Sequence, residues 1–294
     1  MPNATTRHVN RIQTEVQAFS SSSPWTFPVG TLGMLTRDAY ARAEAIASTL
    51  PELVARAREA RPPLPFAPAL RGDAVRVIAE VKRASPSKGA IAAGLDAPAQ
   101  AAAYVAGGAA AISVLTEPTR FGGRLTDLTA VANAVPVPAI RKDFLVDPVQ
   151  LWEARAAGAS AVLLIVRALS PEALSRLMDV AAEAGLATLV EIRGRDELER
   201  ALAVGATVIG VNNRNLETLA IDSATAPAVI PHIPSACIAV AESGMRGPAD
   251  VNPAADAGAD AILVGSAVSA STNPTADVRA LASIARRPSA LRPA

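Results

Sequence analysis

The chain has 294 residues, a formal net charge of +1, half of its residues apolar and only 3% aromatic. That balance leaves no basic field to attract nucleic acid or an anionic membrane surface, and no window approaches the ~18 unbroken apolar residues of a membrane helix. The single cysteine, Cys237, excludes an internal disulfide framework and fits a reducing compartment; within the apolar run "CIAVAE" it reads as a buried small hydrophobe.

At the amino end, "MPNATTRHVNRIQTEVQAFSSSSPW" has no apolar core after a basic start, so it is not a secretory signal, and a cytoplasmic protein is expected. Its serine run helps to mark residues 1–33 as a flexible segment. Residues 34–61 are helical in composition yet precede any strand, so 34–70 are expected to form an extra helical layer, a lid over one end or a plug under the other of the domain that follows. That domain should occupy 71–287, with a flexible tail, 288–294, behind it.

The first strand is "RVIAEVK" at 76–82. Side chains two apart in a strand share a face, so Glu80 and Lys82 look one way while Val77, Ala79 and Val81 look the other. Five later segments share one cadence, an alanine-rich helical end, a glycine, then an apolar run: "AGGAAAISVL" (106–115), "AGASAVLLIV" (157–166), "AGLATLVEI" (184–192), "VGATVIGVN" (204–212) and "AGADAILVG" (257–265). Glycine supplies the left-handed turn that stops a helix, and the run after it is too short for an amphipathic helix. "VPAIRK" (137–142) and "CIAVAE" (237–242) complete eight strands. Helix starts agree, with Asp147–Pro148 and Ser170–Pro171 each pairing a capping side chain with proline at the first position. Eight strands alternating with helices predict a parallel sheet closed into a (β/α)8 barrel. The alternative, an open doubly wound sheet, lacks its Gly-rich turn after strand one.

The apolar runs give way to polar residues or glycine at their carboxyl ends: Glu80 and Lys82, Lys142 with Asp143, Glu191, Asn212 with Asn213 and Arg214, Glu242 with Ser243 and Gly244, Gly265 with Ser266. In a barrel these ends form the surface that carries active sites. One Glu–Lys pair there could simply close a barrel end, and Asn212 and Arg214 could belong to an ordinary turn. Two lysines and three glutamates in one mouth cost desolvation that a structural rim would avoid with serine or threonine, so function is the better reading. The glycines after strands seven and eight suit a phosphate. His8 and His232 lie away from every strand end, which leaves proton transfer to lysine and glutamate and offers no histidine metal site.

The motifs "VIAEVKRASPSKG", "AIRKDFLVD", "LLIVRAL", "LVEI", "GVNNRNLETL", "VAESGM" and "ILVGSA", in this order, closely resemble indole-3-glycerol phosphate synthase from about Val75 to Ala285. The resemblance implies ring closure of 1-(2-carboxyphenylamino)-1-deoxyribulose 5-phosphate with loss of carbon dioxide and water, no cofactor and no metal. It implies Lys142 as the general acid at the ribulosyl carbonyl, Lys82 as the holder of a substrate anion and acid for dehydration, Glu191 as the base, and Glu80 as the group that orients Lys142 and keeps it charged. Asn212 and Glu242 become substrate-binding strand ends, with Asn212 counted in the catalytic set. By the same resemblance Ser85, Phe121, Phe144, Leu163 and Arg214 line the aryl pocket, while Ser243, Gly244, Gly265 and Ser266 take the phosphate. The first ~70 residues match poorly, and Ala84 and Arg124 depart from the family's loops. Two rivals stay open: another phosphate-binding barrel such as phosphoribosylanthranilate isomerase, which would need a cysteine at the first strand end, and a non-catalytic phosphosugar-binding barrel. A phosphorylated small molecule is the expected partner, with no nucleic acid or membrane partner, and a monomer is the expected state.

Overall fold

The computed structural model describes residues 25–287 and 292–293. Eight strands, β1 (Arg76–Val81), β2 (Ala111–Leu115), β3 (Ala139–Lys142), β4 (Ala161–Ile165), β5 (Ala187–Ile192), β6 (Val208–Asn212), β7 (Ile238–Glu242) and β8 (Ala261–Val264), pair in parallel and close into a barrel. Each strand end falls within one residue of the place read from the sequence. β1 bonds to both β2 and β8, which removes the open-sheet alternative.

Local chemistry explains these elements. Gly108, Gly158, Gly185, Gly205 and Gly258, the glycines of the five repeats, all have φ between 71° and 98°, where a Cβ would be strained. Asp147 forms a capping box with Gln150, and Ser170 Oγ accepts from the Ala173 amide at 3.1 Å. The strands are buried on both faces, as a parallel sheet covered by helices requires: Val77, Ile78, Ile112, Val114, Ile140 and Leu164 have no exposed surface.

The segment before the barrel is both lid and plug. Its leading helix, Gly30–Ile46, lies at the carboxyl mouth, where Thr31 and Leu35 face the cavity and the Thr31 amide donates to Glu217 O at 3.0 Å. The next helix, Leu50–Glu59, packs beside Pro148–Ala156 on the barrel wall. The chain then crosses the amino end: the Leu64 amide donates to Ser160 Oγ, Phe66 and Leu70 are buried, and Arg71 donates to Ala236 O.

The two expected flexible ends need correction. Residues 1–24, with the serine run and His8, lie outside the described residues, but Trp25 is buried with its indole N–H on Arg167 O, and the helix begins at Gly30 rather than 34. Residues 288–291 and 294 also lie outside them, yet Arg292, within the expected tail, is buried and paired with Asp260 at 2.7 Å. A buried carboxylate at the barrel's amino end requires a cation, and the tail supplies one. Among the described residues no helix is long and apolar enough to cross a membrane.

Candidate active site

A cavity of about 770 Å³ occupies the carboxyl mouth. Barrel closure brings every residue given above a catalytic, aryl-pocket or phosphate place to its wall: Glu80, Lys82 and Ser85 after β1, Phe121 after β2, Lys142 and Phe144 at β3, Leu163 on β4, Glu191 on β5, Asn212 and Arg214 at β6, Glu242, Ser243 and Gly244 at β7, Gly265 and Ser266 after β8. Strand register sets their levels. Asn212 stands opposite Glu242, and Ile165 opposite Glu191.

The charges form two groups. On one side Lys82 Nζ donates to Glu80 Oε1 at 2.6 Å. On the other, Lys142 Nζ stands 3.5 Å from Glu191 Oε2 and 3.7 Å from Glu242 Oε2, and Asn212 Nδ2 donates to Glu191 Oε1 at 3.0 Å. Asn212 Oδ1 accepts the Arg214 amide at 2.9 Å, so this asparagine side chain both shapes the turn and fixes the orientation of Glu191. Glu80, expected to orient Lys142 and keep it charged, pairs directly with Lys82 two residues along the same strand face and acts on Lys142 from farther off, while β5 and β7, farther round the barrel, bring the carboxylates that lie nearest to Lys142.

Burial alone would drive Lys142 towards the free amine, but Glu191, Glu242 and Glu80 outweigh it and hold the group above the ordinary lysine range, as an ammonium. Burial also pushes Glu80 up, and Lys82 and then Lys142 more than reverse that. Glu242 goes the other way. Burial, then the neighbouring Glu191, push it up to about 8 despite Lys142, and its Oε1 finds no hydrogen-bond partner among the described residues. The mouth therefore holds a stable ammonium, an ionised Glu80, and a Glu242 whose carboxyl is held well above the usual carboxylate range.

Two glycines make room for this. A Cβ on Gly265 would stand 2.2 Å from Glu80 Oε1 and 2.7 Å from Lys82 Nζ, and one on Gly210 would stand 2.0 Å from Glu242 Oε1. Gly265 therefore has a packing reason to be glycine beside its expected place at the phosphate. Ser243 takes φ 62°, uncommon for a residue with a side chain, and Asn213 Nδ2 holds its carbonyl at 3.1 Å. Across the mouth Phe121 and Phe144 are paired, ring centroids 6.3 Å apart and 38° between planes, as one wall of an aryl-sized slot.

Sequence reading missed Thr31 and Leu35 on the leading helix, and Leu115, Leu263 and Ile221 on the wall. Nothing local marks the first two, because only the docking of the helix aims them inward. Arg124 is not part of the wall. The cysteine that an isomerase of the rival kind would need at β1 is absent. Cys237 lies instead at the amino end of β7, bonded to Ala206 O. No group of three or more His, Cys, Asp or Glu among the described residues is disposed to hold a metal ion.

The family model described as "Indole-3-glycerol phosphate synthase" matches residues 35–281. Curated relatives named indole-3-glycerol phosphate synthase include one from Streptomyces coelicolor, 53% identical over 82% of this chain and 89% of its own length. Another, from Rhodococcus jostii, is 51% identical over 81% and 89%, and one from Mycobacterium sp. strain KMS is 49% identical over 85% and 92%. Among solved structures, 3-hexulose-6-phosphate synthase from Salmonella typhimurium superposes with a TM-score of 0.58 at 15% identity, over 71% of this chain and 97% of that one. Thiamine phosphate pyrophosphorylase from Pyrococcus furiosus does so at 0.55 and 15%, over 72% and 95%. At such identities the likeness to these two shows the fold alone.

Proposed function

The chain belongs to the indole-3-glycerol phosphate synthase family, and from that premise we propose how the residues of its mouth divide the work. The activity is that of a carboxy-lyase: 1-(2-carboxyphenylamino)-1-deoxyribulose 5-phosphate closes to indole-3-glycerol phosphate with loss of carbon dioxide and water. Lys142 is the acid. As the aryl carbon bearing the carboxylate attacks the ribulosyl ketone, its ammonium gives a proton to the developing alkoxide, and the paired carboxylates beside it keep it charged beforehand. Glu191 is the base: Asn212 holds its Oε1, and its Oε2, shared with Lys142, takes the C–H proton that is lost together with the hydroxyl once departure of carbon dioxide has restored the benzene ring. Lys82, held by Glu80, protonates the hydroxyl that leaves as water.

Positioning carries as much as proton transfer. Phe121, Phe144 and Leu163 enclose the ring, with Ser85 and Arg214 for its carboxylate, while Ser243, Gly244, Gly265 and Ser266 hold the phosphate across the mouth. Anchoring both ends brings aryl carbon and ketone into contact, where effective molarity contributes most. The observation behind this reading is the Lys142 ammonium set among Glu191 and Glu242, beside the paired rings.

The test is to incubate the purified protein with the carboxyphenylamino-deoxyribulose phosphate, without added metal, and follow indole fluorescence. Product should accumulate with wild type. Lys142→Met should block carbon–carbon bond formation, and Lys82→Met should slow only a later step. Equal turnover by Lys142→Met and wild type would remove Lys142 from the acid role.

A further inference from the structure

We propose that Arg42, on the leading helix, is a positioning residue for ring closure: it bridges two buried carboxylates, Glu117 and Asp143, and so fixes Phe121, Phe144 and Lys142 relative to one another. Arg42 Nη2 lies 2.7 Å from Asp143 Oδ1, and Nη1 lies 3.7 Å from Glu117 Oε1. Both acids have almost no exposed surface. Each anchors one ring of the aryl slot. Glu117 caps the helix Pro118–Phe121, accepting the Arg120 amide at 2.7 Å and the Phe121 amide at 3.0 Å. Asp143 sits between Lys142 and Phe144. Its Oδ1 accepts the Phe144 amide at 2.8 Å, and its Oδ2 accepts Thr116 Oγ1 at 2.7 Å and Arg141 Nη2 at 3.3 Å.

Arg42 is the only ion-pair partner of Glu117 among the described residues, and the only cation that reaches both acids. Without it two buried negative charges on adjacent loops lose their shared counter-ion and push the rings apart. The planar guanidinium matters, since a lysine ammonium is a point charge and would serve one acid at a time. A displacement of about 1 Å at a reacting group can cost up to about 10²-fold in rate.

The inference rests on the roles proposed above for the rings and Lys142. The experiment compares Arg42→Met, Arg42→Lys and Arg42→Ala with Arg37→Met, a control on the same helix whose guanidinium lies over Phe27. Competent sites are counted with a ketone-reduced analogue that cannot cyclise. Expected per competent site are a ~10 to 100-fold lower kcat for Arg42→Met, a smaller loss for Arg42→Lys, recovery of the Ala variant in millimolar methylguanidinium, and a control within twofold of wild type. Arg42→Met within twofold of wild type, an equal loss in the control, or no recovery with methylguanidinium would overturn the proposal. Should Arg42→Met not fold, Arg42→Lys at full kcat would overturn it. Activity surviving in Lys142→Met would instead remove the underlying reading of the site, a separate outcome.

Discussion

The two ends of the barrel each bury a cluster of charge, and they treat it differently. At the amino end Asp260 is paired with Arg292 at 2.7 Å and Arg286 at 2.5 Å, and also accepts the Ala239 amide at 2.8 Å. All five N–H groups of Arg292 are used, on Asp260 and on the carbonyls of Ile233, Pro234, Cys237 and Gly258. At the carboxyl mouth the contacts of Lys142 are long, 3.5 and 3.7 Å, Glu242 Oε1 has no hydrogen-bond partner among the described residues, and Glu191 pushes the Glu242 carboxyl up. Buried charge that serves stability is largely satisfied, Arg286 Nε being the exception in this cluster, because each unpaired group costs free energy. Buried charge left short of partners is open to a ligand, at a standing cost that the rest of the fold must offset.

This contrast breaks most visibly if the wrong end controls turnover. Lys142→Met should lower kcat at least ~10³-fold, about 4 kcal/mol in the barrier, while the protein still melts cooperatively. Asp260→Ala should do the opposite. It leaves Arg292 buried without its carboxylate, at a cost of about 3–5 kcal/mol in unfolding free energy, and kcat measured well below the melting temperature should stay within twofold of wild type. Chemical denaturation and steady-state kinetics on both variants decide the matter, and a kinetic defect in Asp260→Ala would end the division between the two ends.

Glu242 sharpens the comparison through pH. Burial first, and then Glu191, push its carboxyl up to about 8, above its unfolded value, so between those two values the native state holds a proton that the unfolded chain has released. Stability therefore falls as pH rises through that window. Glu242→Gln keeps the neutral shape and removes the titration. The variant should come within about 1 kcal/mol of wild type near pH 5 and exceed it at pH 8 by on the order of 4 kcal/mol. A constant difference across the range would show that the group is ionised throughout.

Much of the fold was legible, for identifiable reasons. The repeated glycine before an apolar run is a local signal, since only a left-handed residue followed by a strand reads that way, and Gly108, Gly158, Gly185, Gly205 and Gly258 all bear it out. Strand parity and barrel closure then bring Lys142, Glu191, Asn212 and Glu242 together without further information. Pairing within the mouth was not legible. Whether Glu80 serves Lys82 or Lys142 depends on how far it stands from the tip of β3, on the far side of β2, and on which carboxylates of β5 and β7 reach Lys142 first, which sequence spacing does not encode. The leading helix and the tail were hidden for a related reason: Arg42 and Arg292 look like surface charges until the buried acids they neutralise, Asp143 and Asp260, are in place.

Gly210 offers the finest separation of packing from chemistry. It lies mid-strand on β6, with nothing local to require glycine, and a strand ordinarily disfavours the residue. Its reason is the Glu242 carboxylate, which a methyl group would approach to 2.0 Å, with Leu189 Cδ1 next at 3.2 Å. Gly210→Ala should therefore cost about 1–3 kcal/mol from overpacking and lower kcat as the displaced carboxylate drags on Lys142. Glu242→Ala removes the obstacle, so in the double variant the added methyl should cost almost nothing, or even stabilise the strand. A double-mutant cycle on unfolding free energy measures this directly, and additive effects would mean that Gly210 answers to Leu189 rather than to the mouth.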